Sequence, residues 1–369
     1  MRTFSITLGG TFVPLPCIDP AVDAAFASLY EQVDNGAVPD AMAFDAGVVP
    51  FLQHSRDSAV HDAYFNLFTP LWLHFLRQGR ATEAIAVWPW ALRPALVAET
   101  ESGQALHKGT PYYFWGMTLL VQESLEEGYL LMHRALEEDV RTHRTSAPDT
   151  PGWALATLDH ERLSQAFLPW VKKQAAHVEA RLNDYRSTHQ RLLTLPELRS
   201  RFLAIPTYRD AAQQFCFSMA RALRLRSLPL EVWDGPFPAQ IAFGVVFDLC
   251  LVVDSVLREK NSTKWQFIDH ASFLSNAAKL GLSRDDLREI NGQFCTSFPL
   301  ALHATLAETL KLNSGATVKG LDASLALTYG CRNRGAHSVA SAVISPAEFD
   351  QIVQRVCETL FLAVEQLFP

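Results

Sequence analysis

LDASLALTYGCRNRGAHSV, residues 321–339, is the stretch on which the reading of this chain turns. Its first part, Leu321 to Cys331, is apolar enough for a buried helix, and its second part sets Arg332, Asn333, Arg334 and His337 around Gly335. On an unbroken helix positions 332 and 337 diverge by about 140°, because each residue turns the helix by about 100°. Gly335 changes that expectation. It can end the helix and turn the chain, so that His337 swings back beside Arg332. Arg332 is always charged and can fork onto a phosphate, His337 can exchange a proton near neutral pH, and Asn333 can hydrogen-bond to either. Such a trio suits phosphodiester cleavage. The plainer alternative is a helix end at which Arg332 and Arg334 complement the helix dipole and His337 is incidental.

Working outward, the segment sits late in a run of helices. A helix of about 20 residues is expected over Ile241–Lys260, another over Ser272–Leu280, and further ones over Leu300–Leu312 and Leu321–Cys331. Ser283-Arg284-Asp285-Asp286 reads as a helix start with acids in its first turn. Ser345-Pro346-Ala347-Glu348 reads as a capping box for a last helix, with Phe349, Ile352, Val353, Val356, Leu360, Ala363, Val364 and Leu367 on one stripe. Residues 238–369 therefore form a compact all-α domain.

With these features on the page, the segment resembles the HEPN superfamily: an apolar helix ending in R-N-x-x-x-H, matching the R-x(4-6)-H motif, late in an all-α domain and followed by one more amphipathic helix. The resemblance spans about Pro238 to Phe368, and the bare motif fixes only two residues. Many members are metal-independent endoribonucleases. The resemblance implies that Arg332 stabilises a phosphorane-like transition state and that His337 acts as general acid or base while the RNA 2′-hydroxyl attacks its own phosphodiester, with Asn333 in support. It implies products with a 2′,3′-cyclic phosphate and a 5′-hydroxyl. It also implies a composite site of two Arg and two His, which here requires a homodimer because the chain carries a single motif. Asp254 or Glu259, on the first helix of the domain, is the acid that would orient the motif. Neither a metal nor a cofactor is expected.

The N-terminal half carries an internal repeat. Phe68, Leu71, Trp72, Phe75, Ala84, Trp88 and Ala91 recur as Tyr112, Trp115, Gly116, Leu119, Gly128, Met132 and Ala135, at a constant offset of 44 residues. The order, bulky residues on a first helix and then small, large, small on a second, resembles the tetratricopeptide (TPR) hairpin, although its period is longer than about 34 and Pro89 interrupts the earlier copy. A generic pair of α-hairpins with an aromatic core gives the same pattern. If the hairpins stack, Tyr112, Trp115 and Glu126 line a groove for a regulatory protein or peptide, whose acids would repel RNA. Asp57 and His61, four apart, read as a surface pair.

Between Lys172 and Arg226 eleven Lys and Arg stand against four acids, in a chain of net charge −7. That segment either guides RNA, through Arg199, Arg201, Arg221 and Arg224 together with Arg334, or is a solvated face paired with the acidic stretch Glu123 to Asp139. The overall order expected is thus all-α. A short irregular or β-containing arm (1–56) precedes a TPR-like region (57–150), a basic helical connector (151–237) and a HEPN-like bundle (238–369).

Composition sets the outer bounds. The chain has 369 residues, 49% hydrophobic and 19% charged, which excludes wholesale disorder and repetitive fibrous classes. Its six cysteines are scattered without a CxxC pair, consistent with a reduced, cytoplasmic chain in which several act as small hydrophobes. The longest apolar run, IAFGVVFDLCLVV, is interrupted by Asp248 and too short to span a bilayer, so no membrane partner is expected. Phosphate-loop, dinucleotide, serine-hydrolase and zincin signatures are absent. The sequence thus points to a metal-independent endoribonuclease, acting as a regulated toxin or phage-defence effector with RNA as substrate. The alternative is a non-catalytic adaptor that dimerises and binds a partner protein or nucleotide.

Overall fold

The structure, a computed structural model, describes residues 2–163, 167–233, 236–337 and 344–368; the side chains of Arg162, Pro236, Ala336 and His337 lie outside that description. The fold is overwhelmingly α-helical, with one two-stranded sheet at the N-terminus. The chain divides into two compact units, Met1–Trp153 and Ala154–Pro369, where the sequence suggested four segments.

The first unit opens with an antiparallel hairpin, β1 (Thr3–Leu8) and β2 (Thr11–Pro16). Gly9 and Gly10 form its two-residue turn at φ of +58° and +74°, a left-handed pair that fits the twist of a hairpin. Helices α1 (Pro20–Asp34) and α2 (Ala41–His54) follow, each started by an aspartate, Asp19 and Asp40, whose side chain accepts from backbone N–H groups of the first turn. The hairpin packs on α1, and α1 on α2, so the first 56 residues are part of the unit and not a projecting arm. Asp57 caps α3 (Ser58–Asn66), and His61 is buried, accepting from the His107 backbone N–H. The expected surface pair is therefore corrected: one partner is a helix cap and the other a core histidine.

The 44-residue repeat corresponds to two successive helical hairpins, α4 (Thr69–Arg77) with α5 (Ala81–Ser102), then α6 (Gly109–Val121) with α7 (Leu125–His143). In the second, a Cβ at Gly116 would lie 2.9 Å from the Gly128 carbonyl oxygen, so the two small positions are what let α6 and α7 touch. Pro89 does not interrupt its copy. Helix α5 runs through both Pro89 and Pro94, with Trp88, Ala91, Leu92 and Ala95 buried around them.

Helix α8 (Pro151–Ala156) carries the boundary into the second unit, which continues with α9 (Leu168–His189), α10 (Leu195–Leu198), α11 (Arg209–Arg226), α12 (Pro236–Lys260), α13 (Phe267–Ala277), α14 (Arg284–Thr296), α15 (Phe298–Leu306), α16 (Gly320–His337) and α17 (Pro346–Leu367). The N-cap expected at Ser283 and the capping box expected at Ser345 are both formed, and Ser283 makes a full capping box with Asp286. Helix α17 is the core element. From Val356 to Val364 every residue is buried, because α9, α11, α12 and α16 surround it. Tyr185 on α9 donates to Glu365, and Arg181 pairs with Asp350, so the helices before residue 238 belong to the same body and are not a connector.

Helix α12 is longer than the apolar run that suggested it. It is long and apolar enough to cross a membrane by length and composition, yet 61% of that window is buried against the other helices. Cys216, Cys250, Cys331 and Cys357 are buried and free.

Candidate active site

Helix α16 brings the motif to the site. Its buried residues, Ala323, Leu325, Ala326, Leu327 and Cys331, press it into the bundle between α12, α14 and α17. Gly330 sets the depth: a Cβ there would sit 2.5 Å from the Phe294 ring of α14. Two residues on, Arg332 emerges with 23% of its side chain exposed.

Arg332 is held by Asp254 of α12. Its Nη2 donates to Asp254 Oδ2 at 2.9 Å and its Nε to the same oxygen at 3.3 Å, while Arg258 approaches that oxygen at 3.5 Å. The guanidinium also lies over the Phe267 ring, 5.4 Å from its centroid. Asp254 is 3% exposed, and its Oδ1 makes no hydrogen bond. One oxygen of this buried carboxylate is shared between two arginines, and the Arg332 Nη1 has no hydrogen-bond partner among the described residues. Asn333 donates from Nδ2 to Asn291 Oδ1 of α14 at 2.9 Å, and Tyr329, one turn earlier, lies within hydrogen-bond reach of Asn333.

His270 of α13 completes the surroundings. It is fully buried, neither ring nitrogen has a hydrogen bond among the described residues, and it sits in the field of Asp254, Arg258, Asp269 and Arg332. Burial pushes its pKa down, which keeps the ring neutral. Sequence reasoning missed His270, Phe267 and Asn291. Their only local signal is a polar or aromatic residue on an apolar helix face, which ordinary cores share.

Two expectations change. Gly335 does not end the helix: α16 continues through it to His337, so position 337 lies about 140° around the axis from position 332. No turn folds one back on the other, and the His337 side chain itself lies outside the described residues. Glu259, five residues after Asp254, is exposed and has no hydrogen bond or ion pair with Arg332; its charge acts on Tyr208. Of the two acids proposed to orient the motif, the structure pairs Asp254 with Arg332.

The basic segment is extensively paired within its own unit. Arg199 meets Asp159 at 2.8 Å, Arg201 meets Glu197 at 3.4 Å, and Arg221 meets Asp248 at 2.8 Å. Arg226 and Arg191 reach Asp350 and Glu365. Arg224 is exposed, and Arg334 keeps its Nε buried without a hydrogen bond. In the first unit Tyr112 is half-buried beneath Arg134, whose guanidinium carbon lies 5.8 Å from the ring centroid. Trp115 is half-buried and Glu126 exposed. Tyr112 thus faces a cation, where the sequence suggested an acidic lining. Among the described residues no group of three or more His, Cys, Asp or Glu side chains is placed to hold a metal ion. No protein family, no curated protein and no solved structure matches this chain.

Proposed function

We propose that the chain is a metal-independent endoribonuclease of HEPN type, a regulated toxin or defence effector whose site is completed when two copies bring Arg332 and His337 together across a twofold axis. The observation that carries this reading is the Arg332–Asp254 pair. A guanidinium fixed through Nε and Nη2 by a buried carboxylate, with Nη1 unbonded among the described residues and part of the side chain exposed, suits an anion.

In this mechanism the RNA 2′-hydroxyl attacks the adjacent phosphorus, and Arg332 stabilises the negative charge that develops on the phosphorane oxygens. His337 takes the 2′-hydroxyl proton or delivers one to the departing 5′-oxygen. Because the nucleophile belongs to the substrate, no metal-activated water is required. The opposed positions of 332 and 337 on one helix favour a shared site, Arg332 from one copy beside His337 from the other, and an isologous C2 contact supplies it. Arg224 and Arg334 would meet the RNA backbone with Arg199, Arg201 and Arg221, whose ion pairs are partly exposed and cheap to exchange for phosphates. The hairpins around Tyr112, Trp115 and Glu126 would take the regulator.

The test is cleavage of single-stranded RNA in EDTA with chemical analysis of the ends. Fragments carrying 2′,3′-cyclic phosphates and 5′-hydroxyls, lost in Arg332→Ala, are expected. Products with 5′-phosphates, or activity restored only by divalent metal, count against it. One observation favours the adaptor instead: α16 is unbroken through Gly335, so Arg332 could serve only to tie α16 to α12. On that reading His337→Ala leaves every activity of the protein unchanged.

A further inference from the structure

The first unit holds a half-open cavity of about 250 Å³ lined by residues of α3, α6, α7 and the start of α8. Its polar floor is His107, only 5% exposed. The ring's Nδ1 lies 2.8 Å from Thr142 Oγ1. Its Nε2 makes no hydrogen bond, and the nearest acceptors are Asp139 Oδ1 at 3.5 Å and Asp62 Oδ1 at 3.6 Å, both from residues that line the cavity. In the tautomer that gives Nδ1–H to Thr142, Nε2 presents a lone pair towards the Asp62 and Asp139 carboxylates, with the Thr150 hydroxyl and the His143 imidazole beside Asp139.

No lysine or arginine relieves this, and the nearest cationic group is the His143 imidazole. Among the described residues neither Asp62 nor Asp139 is paired with a lysine or arginine; the adjacent Lys108 is turned away to Glu99, with Glu138 at 3.8 Å. Only the Thr110 hydroxyl donates to Asp62, at 2.6 Å. Burial raises the Asp139 carboxyl to about 6, against the Thr150 hydroxyl and the His143 imidazole, and lowers the His107 imidazole against Asp62 and Glu138. The space is kept open by Gly109, where a Cβ would strike Asp139 Oδ1 and lie 2.7 Å from His107 Cε1. Tyr113 and Phe114 add aromatic wall beside the acceptors, which favours a cation over a neutral donor.

We propose that this cavity binds a primary alkylammonium group, whose three N–H donors are met by Asp62 Oδ1, Asp139 Oδ1 and His107 Nε2. The group can come from a small amine or from a lysine side chain of a peptide, and the two sources share this chemistry. The test is calorimetric titration of the full-length protein with butylamine, with putrescine and with an acetylated, amidated Gly-Lys-Gly peptide. One-to-one saturable binding is expected, weakened at least tenfold in Asp62→Asn and in Asp139→Asn. Asp62 is the more exposed of the two, so that variant decides if Asp139→Asn fails to fold. Tighter binding of the peptide identifies a protein partner, and tighter binding of the free amines a small effector. No saturable heat with any of the three, affinities unchanged in Asp62→Asn, or saturation by zinc in place of amines overturns the proposal.

Discussion

Arg332 gives two N–H groups to one oxygen of Asp254, and each feature of that contact predicts a measurable loss. Arg332→Ala should cut RNA cleavage by a hundredfold or more, because removing a transition-state charge partner costs about 3–4 kcal/mol. Arg332→Lys should recover little of it, since an ammonium cannot keep the fork to Asp254 while reaching a phosphate. Asp254→Asn should lower both kcat and stability, the latter by about 1–3 kcal/mol for a lost charge-assisted hydrogen bond, read by urea denaturation. Arg332, Asn333 and the acid at 254 were legible because they lie in one short motif and on one long apolar helix. Asp254 and Glu259 could not be ranked from spacing alone, although positions five apart face opposite sides of a helix and only one can meet Arg332. His270 and Asn291 reach the site through packing of distant helices, which no local pattern encodes.

At the scale of elements, the structure turns on small residues that let helices touch. Gly116→Ala should destabilise the first unit by about 1–3 kcal/mol, because the added methyl meets backbone of α7 that cannot move aside alone. Gly330→Ala should act similarly in the second unit, against a Phe294 ring that is 1% exposed. Differential scanning calorimetry checks both, with the loss confined to the transition of the affected unit. The repeat, the N-cap at Ser283 and the capping box at Ser345 were readable because each is a fixed spacing of residue types. The continuation of α16 through Gly335 was not. A helical glycine costs only about 1 kcal/mol relative to alanine, less than a well-packed helix gains from its neighbours.

Over the whole molecule, four apparent segments become two units because the amphipathic faces of α9 and α11 are used up against α12 and α17. Sequence texture marks changes of composition, and these coincide with a boundary between bodies only near residue 153. Buried titratable groups make stability depend on pH in both units. The Asp139 carboxyl, raised to about 6, holds a proton in the folded state that the unfolded chain releases near pH 4, so its contribution is present below about pH 4 and lost as pH rises through 6. His177, lowered to about 4 by burial and by Arg181 and Arg226, works in the opposite sense: it stays neutral when folded, and stability grows as pH rises towards 6.5. The two partly cancel in the native protein. Asp139→Asn should therefore raise the melting temperature more at pH 7.5 than at pH 5, by the equivalent of about 1–1.5 kcal/mol. Equal shifts at the two pH values would show that Asp139 does not titrate in that range.

The central claim is that Arg332, fixed by Asp254, works with a His337 from a second copy. The most direct measurement is complementation in EDTA. Purified Arg332→Ala and His337→Ala, each inactive on single-stranded RNA, are mixed and the fragments analysed. With Arg332 of one copy beside His337 of the other, the mixed dimer holds one intact pair, and cleavage returns to a fraction of the native rate with 2′,3′-cyclic phosphate ends. A mixture that stays inactive while sedimentation shows mixed dimers, or a His337→Ala variant fully active by itself, would contradict the account.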